Sequence, residues 1–193
     1  MIDTQNKIGV TIVGYKQATL TQEYAWWIGQ ECNNVSIVEP QDLLPSNDTA
    51  YIVCVSKYTQ ERISIIQQLK NKTFAKFIHS SCVIHGNSKI GAGTFIGPNV
   101  SLFFNCSIGD HCIIGPYSMI SHATTIGTGT IIHPGTIIAG SCSVGDYCVF
   151  GLRSTVIDKL SICDNAQIGA GAMITKDIIA PGTYVGSPAR KVK

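Results

Sequence analysis

Five side chains of this chain can exchange a proton near neutral pH: His79, His85, His111, His122 and His133. An imidazole can serve as a general base, as a metal ligand or as an ordinary surface residue. Eight cysteines offer a second chemistry, but none stands in a C-x-x-C pair. A third group is basic: Lys176, Arg190, Lys191 and Lys193 gather near the C-terminus. Whether any of these groups converge depends on the elements that carry them.

Those elements follow a period of six. From Ile78 onward every sixth residue is large and apolar, through Leu102, Ile120, Ile138 and Phe150 to Ile174: 17 positions, 13 of them Ile. The next residue is Gly at eight of the 17. The residue four positions on is small at 15 of the 17, with Leu160 and Ile178 departing. One large and one small inward site per six residues describes short strands joined by tight turns. Glycine is expected to supply turn geometry that a Cβ hinders. Five cysteines, Cys82, Cys106, Cys112, Cys142 and Cys148, fall on the small site, where a free thiol reads as a small buried hydrophobe.

This pattern resembles the left-handed parallel β-helix of the hexapeptide-repeat acyltransferases. The resemblance implies three hexads per coil, so the 17 hexads make about 5.7 coils. At about 4.8 Å per coil the prism would be roughly 27 Å long. Its open ends need caps. An N-terminal domain is expected over one end, and the segment from Asp177 to Lys193 over or beside the other.

Residues 1–72 lack the six-residue period. Strands are expected at Val10–Val13, Val35–Val38 and Tyr51–Val55, with helices at Thr21–Gln30 and about Thr59–Lys70, an alternation that implies a small parallel sheet. The expected fold is therefore a small α/β Rossmann-like N-terminal domain (1–74), a left-handed parallel β-helix of hexapeptide repeats (75–179) and a capping, coenzyme A-contacting tail (180–193). Lys72 to Lys76 form the expected hinge. This order of parts is similar to sugar acetyltransferases of the sialic acid O-acetyltransferase type, a group that includes N-acetyltransferases of nucleotide-linked 4-amino sugars.

The resemblance carries a chemistry. Direct acyl transfer from a thioester needs a base for the attacking group and fixed donors for the developing oxyanion. The family's base aligns with His122, in Met119-Ile-Ser-His-Ala-Thr-Thr-Ile-Gly. Gly140 lies 18 residues, one coil, beyond it and would offer its backbone N–H to the thioester carbonyl. Phe104, one coil before, and Asn105 would wall the acceptor. Gly169, Ala170 and Gly171 would leave room for the pantetheine arm, and Lys176, Arg190 and Lys191 would meet the coenzyme's phosphates. Gly14 and Tyr15 would contact a nucleotide, although Gly14-Tyr15-Lys16-Gln17-Ala18 holds only one Gly. Ala123 stands where the family has an acid that orients the base. Asp110, Asp146 or Asp158, from this or a neighbouring subunit, are candidate replacements. Ile131 stands where a second family histidine would be, with His133 two residues on, and Gly115 or Pro116 where the family often has Asn. The resemblance further implies acetyl-CoA as co-substrate, no metal, and a homotrimer. The acceptor would be an amino sugar of a nucleotide-sugar, or a nonulosonic acid, in surface polysaccharide synthesis.

Composition narrows the classes. Hydrophobic residues make up 45% and charged residues 13%, which argues against disorder. A net charge of +2 is too small for a nucleic-acid footprint. No apolar run reaches the length of a membrane span, and the N-terminus shows no secretory pattern, so a cytoplasmic location is expected. Two other readings remain. A zinc enzyme of the same prism, like the gamma-class carbonic anhydrases, would want a His pair near His-x4-His, whereas the separations here are 6 and 11. A catalytically degenerate prism would bind a nucleotide-sugar or a partner without transfer.

Overall fold

The computed structural model describes residues 9–14, 17, 19–30, 32, 34–55 and 59–193. The N-terminal unit runs β1 (Gly9–Val13), α1 (Thr19–Gly29), β2 (Val35–Val38), a 3-10 turn (Pro40–Asp42), β3 (Thr49–Val53) and α2 (Thr59–Gln68). Its three strands are all parallel, in the order β2-β1-β3. Val10, Ile12 and Ile52 are fully buried, as β-branched residues of a covered parallel sheet should be.

From Phe77 to Ile174 the chain forms 17 short strands in a three-faced parallel solenoid. The first face carries strands from Phe77–Ile78 to Ala166–Ile168, the second from Val83–Ile84 to Met173–Ile174, the third from Lys89–Ile90 to Ser161–Ile162. Each strand pairs with the strand 18 residues on, as Phe95 does with Ile113 and Met119 with Ile137. Ile96, Leu102, Ile114, Ile120, Ile132, Ile138, Phe150 and Val156 fill the interior with no exposed surface. The six-residue period thus reads directly as an inward register.

The small inward site does more than save space. The side chain there donates a hydrogen bond to the carbonyl 15 residues on: Thr94 to Gly109 (2.9 Å), Thr124 to Ala139 (2.9 Å) and Thr130 to Gly145 (3.0 Å). Cysteine makes the same bond, Cys112 Sγ to Gly127 O at 3.1 Å and Cys142 Sγ to Ile157 O at 3.2 Å. These thiols are therefore donors as well as apolar filler. All eight cysteines are free, and burial pushes Cys54 and Cys112 up to about 12.

Two expectations are corrected. Positive φ does not fall on the glycine after each large residue. It falls two residues later, at Asn87, Asn99, Asn105 and their repeats at six-residue intervals. The glycines after the large residues serve close approach: a Cβ on Gly127 would lie 2.4 Å from the Gly145 backbone. The second correction concerns the cap. The N-terminal unit packs along the first face rather than across an end. Tyr24 and Trp27 of α1 join Phe77, Phe95, Ile113 and Ile131 in one buried cluster, and the Tyr24 and Phe95 ring centroids are 4.2 Å apart. Ile84, in the first coil, remains 36% exposed. At the other end Ile178 is buried against the interior, with Tyr184 and Ala189 of the final hairpin packed beside it.

Arg62 of α2 joins the two units. It is fully buried and donates to Val53 O (3.3 Å), Gly129 O (2.9 Å) and His111 O. No helix among the described residues is long and apolar enough to cross a membrane.

Candidate active site

The vertex between the second and third faces stacks one residue per coil: Phe104, His122, Gly140 and Asp158, each 18 residues from the next. Phe104, His122 and Asp158 are exposed. The imidazole of His122 lies against Gly140. A Cβ on that glycine would be 2.5 Å from Nε2 and 2.6 Å from Cε1, so any side chain there would push the ring away. Gly140 does not have the positive φ that would call for glycine on backbone grounds. Its bareness makes room for the imidazole.

The Gly140 amide is also open. On the neighbouring vertex, carboxylates cap the equivalent amides one coil below: Asp110 Oδ1 accepts from Ala92 N at 2.8 Å, Asp146 Oδ1 from Thr128 N at 2.7 Å, and Asp164 Oδ1 from Asp146 N at 2.8 Å. Asp158 stands in that relation to Gly140 but turns to Lys159, 3.7 Å away. Among the described residues nothing accepts from the Gly140 N–H, so an imidazole and a free backbone donor sit one coil apart on an exposed edge.

Within one chain, the three carboxylates considered as orienting groups do not reach His122. Asp110 and Asp146 are engaged on another vertex, and Asp158 lies two coils away, about 10 Å at the usual strand spacing. Ala123, with φ +55°, offers the imidazole no hydrogen bond. His111 and His133 lie elsewhere. His111 is half-buried under the N-terminal unit, its ring centroid 4.4 Å from that of Phe74, and burial, with the Arg62 charge, holds it below the ordinary value. Burial alone lowers His133. No cluster of three metal-ligating side chains occurs among the described residues.

The remaining site candidates divide. Asn105 is exposed beside Phe104, at φ +59°. Phe104 packs against His85, the rings tilted by 31° and their centroids 5.1 Å apart. Lys176, Arg190 and Lys191 share a cleft of about 320 Å³ with Asp177 and Tyr184. Gly169, Ala170 and Gly171 occupy the vertex between the first and second faces. Gly169 admits Val185, whose Cγ1 would lie 2.8 Å from a Cβ there, while Gly171 at φ +66° has open space around it. Gly14 is buried at the end of β1, where a Cβ would meet Thr21 Oγ1 at 2.8 Å. Tyr15 lies outside the described residues. The N-terminal unit covers the first face and His122 projects from the opposite vertex, so a single chain does not bring Gly14 to His122.

The family model described as bacterial transferase hexapeptide (six repeats) matches residues 105–140, and the model described as hexapeptide repeat of succinyl-transferase matches residues 142–176. Both matched segments lie within the solenoid. No curated protein matches its sequence. Among solved structures, the chain is similar to the acetyltransferase domain of PglB from Neisseria gonorrhoeae, with 16% identity, TM-score 0.85, and 95% of this chain and 99% of that one covered. It is similar to PerB from Caulobacter crescentus, solved in complex with CoA and GDP-perosamine, with 21% identity, TM-score 0.82, and 96% and 97% covered. WeeI from Acinetobacter baumannii gives 20% identity, TM-score 0.83, and 96% and 100% covered. At these identities the likeness is one of fold, and it extends over the N-terminal unit as well as the solenoid.

Proposed function

We propose that this protein is a hexapeptide-repeat acetyltransferase that carries the acetyl group of acetyl-CoA to a sugar, an amino sugar of a nucleotide-sugar or a nonulosonic acid. The observation that carries the reading is the His122 imidazole seated on Gly140, whose amide has no acceptor among the described residues. His122 takes the proton of the attacking amine or hydroxyl. That group adds to the thioester carbonyl, and the Gly140 N–H stabilises the oxyanion that forms. Collapse expels the coenzyme as a thiolate, which takes up a proton. Phe104 and Asn105 flank the acceptor, and Gly169, Ala170 and Gly171 leave room for the pantetheine arm. Lys176, Arg190 and Lys191 hold the coenzyme's phosphates. The acetyltransferase domain of PglB has been solved with acetyl coenzyme A, and PerB with CoA and a GDP-linked sugar, which supports both the donor and the acceptor class.

The same reading makes the solenoid a left-handed β-helix and the N-terminal sheet a reduced Rossmann-like unit. It also makes the protein a cytoplasmic homotrimer. The second face favours assembly: its outward residues, including Ser101, Met119, Ile137, Thr155 and Met173, carry no charge. Assembly would place the N-terminal unit of one chain beside the His122 edge of another, which no single chain achieves.

Calorimetric titration with acetyl-CoA, followed by thiol release against nucleotide-linked amino sugars and nonulosonic acids, tests the function. Release with one acceptor is expected. Coenzyme binding with no release on any acceptor would favour the degenerate reading, and no binding would sink the coenzyme reading altogether.

A further inference from the structure

We propose that Asp158 is a displaceable cap on the Gly140 N–H, drawn aside by Lys159 when an acyl donor takes that amide. The inference rests on the acetyl-transfer reading of the site and adds a residue that controls access to its oxyanion donor.

One arrangement recurs along the solenoid. A carboxylate two residues after a large inward side chain accepts from the amide 18 residues earlier. Asp110 does so with Ala92, Asp146 with Thr128 and Asp164 with Asp146, at 2.7 to 2.8 Å. Asp158 follows Val156 by the same two residues and lies 18 beyond Gly140. The backbone keeps the same register at this corner. Lys159 N donates to Gly140 O at 2.9 Å, as His111 N does to Ala92 O at 2.7 Å and Tyr147 N to Thr128 O at 2.8 Å. The Asp158 carboxylate is therefore a side-chain rotation away from the Gly140 amide.

That amide has reason to be capped. Gly140 is buried, and a buried N–H without an acceptor is costly. What sets this corner apart is the residue after the acid. Asp110, Asp146 and Asp164 precede His111, Tyr147 and Asn165, whereas Asp158 precedes Lys159 and pairs with it at 3.7 Å. Both side chains are exposed, and an ion pair of that kind is worth little. The carboxylate thus has two places to rest and is held firmly in neither.

The two places differ in what they do to the reaction. On the amide, the carboxylate blocks the thioester carbonyl and repels the developing oxyanion. Turned to Lys159, it leaves the N–H to the acetyl group. The carbonyl of acetyl-CoA competes with the cap for this amide. Free coenzyme A has no such carbonyl and leaves the cap in place, so the cap acts on the donor and not on the spent coenzyme.

The test is calorimetric titration of the full chain with acetyl-CoA and with coenzyme A, for the wild type, Asp158→Ala and Lys159→Asn. Exchange of the Gly140 amide proton, followed by NMR in the free proteins, reads the cap directly. Asn suits the φ of +61° at position 159. The ratio of the two affinities cancels any general change in phosphate contacts. Asp158→Ala is expected to tighten acetyl-CoA relative to coenzyme A by about threefold or more, because a closed state lowers apparent affinity by its population. Lys159→Asn is expected to move the ratio the other way. The Gly140 amide is expected to exchange faster in Asp158→Ala than in the wild type. Unchanged exchange overturns the cap, and faster exchange with an unchanged ratio overturns its control of the donor. If exchange quickens but acetyl-CoA binds none of the three proteins, the cap stands and the acetyl-transfer reading falls instead.

Discussion

The imidazole of His122 occupies the space into which a side chain on Gly140 would grow, with Nε2 2.5 Å from the Cβ position. Gly140→Ala is therefore expected to displace the ring while leaving the coil intact, because the backbone there needs no positive φ. Turnover should fall at least about tenfold with little change in thermal midpoint. His122→Ala should lower turnover by about 10²–10⁴-fold and leave coenzyme affinity nearly unchanged. Near-normal turnover in His122→Ala would remove His122 from the mechanism.

Arg62 is a buried cation whose listeners are carbonyls, those of Val53, Gly129 and His111. Arg62→Met keeps the length of the stem and removes every one of those bonds. A loss of about 3 kcal/mol is expected, since hydrogen bonds to charged groups are worth about 1.5–3 kcal/mol each and the carbonyls are left unpaired. The loss should fall on docking of the N-terminal unit. Limited proteolysis should cut near Lys72–Lys76 in the variant and spare the solenoid. Equal protease resistance in both proteins would refute the clamp.

Acid should loosen the same junction. Burial and Arg62 hold His111 below the ordinary His value, with Asp110 opposing them, and Phe74 covers the ring. The folded protein therefore favours the neutral imidazole. Its contribution is present in full above about pH 6.5, the ordinary value, and is lost as pH falls through that value toward the lowered one. His111→Asn keeps a residue suited to φ +56° and should flatten the acid side of the plot of thermal midpoint against pH. His133, also lowered by burial, remains in both proteins, so the difference between the two curves isolates His111. Superimposable curves would exclude the effect.

Adjacent isoleucines test the register. Ile138 has no exposed surface and Ile137 is 40% exposed. Ile138→Ala should cost about 2–5 kcal/mol, as a buried large-to-small change does. Ile137→Ala should cost the isolated chain less than about 1 kcal/mol. Chemical denaturation of the two variants measures both, and a reversed order would mean the strand is turned by one residue.

The sequence by itself determined the solenoid. A side chain at every sixth position from Ile78 to Ile174 has to meet the same interior, so the period fixes which residues point inward and how many strands there are. The chain also showed the N-terminal alternation of strand and helix, because its apolar runs are separated by polar turns. A further signal was present but unread. Phe77, Phe95, Ile113, Ile131 and Val149 form an apolar series spaced by 18, which marks the covered first face. Tertiary structure decided the rest. Only stacking shows that glycines after the large residues admit the next coil, that the small-site thiols and hydroxyls donate to carbonyls, and that Asp110 and Asp146 are committed to amides away from His122. Docking of the N-terminal unit on one face, with His122 on the opposite vertex, depends on contacts among residues distant in the chain, such as Arg62 with His111 and Gly129, which no local pattern records.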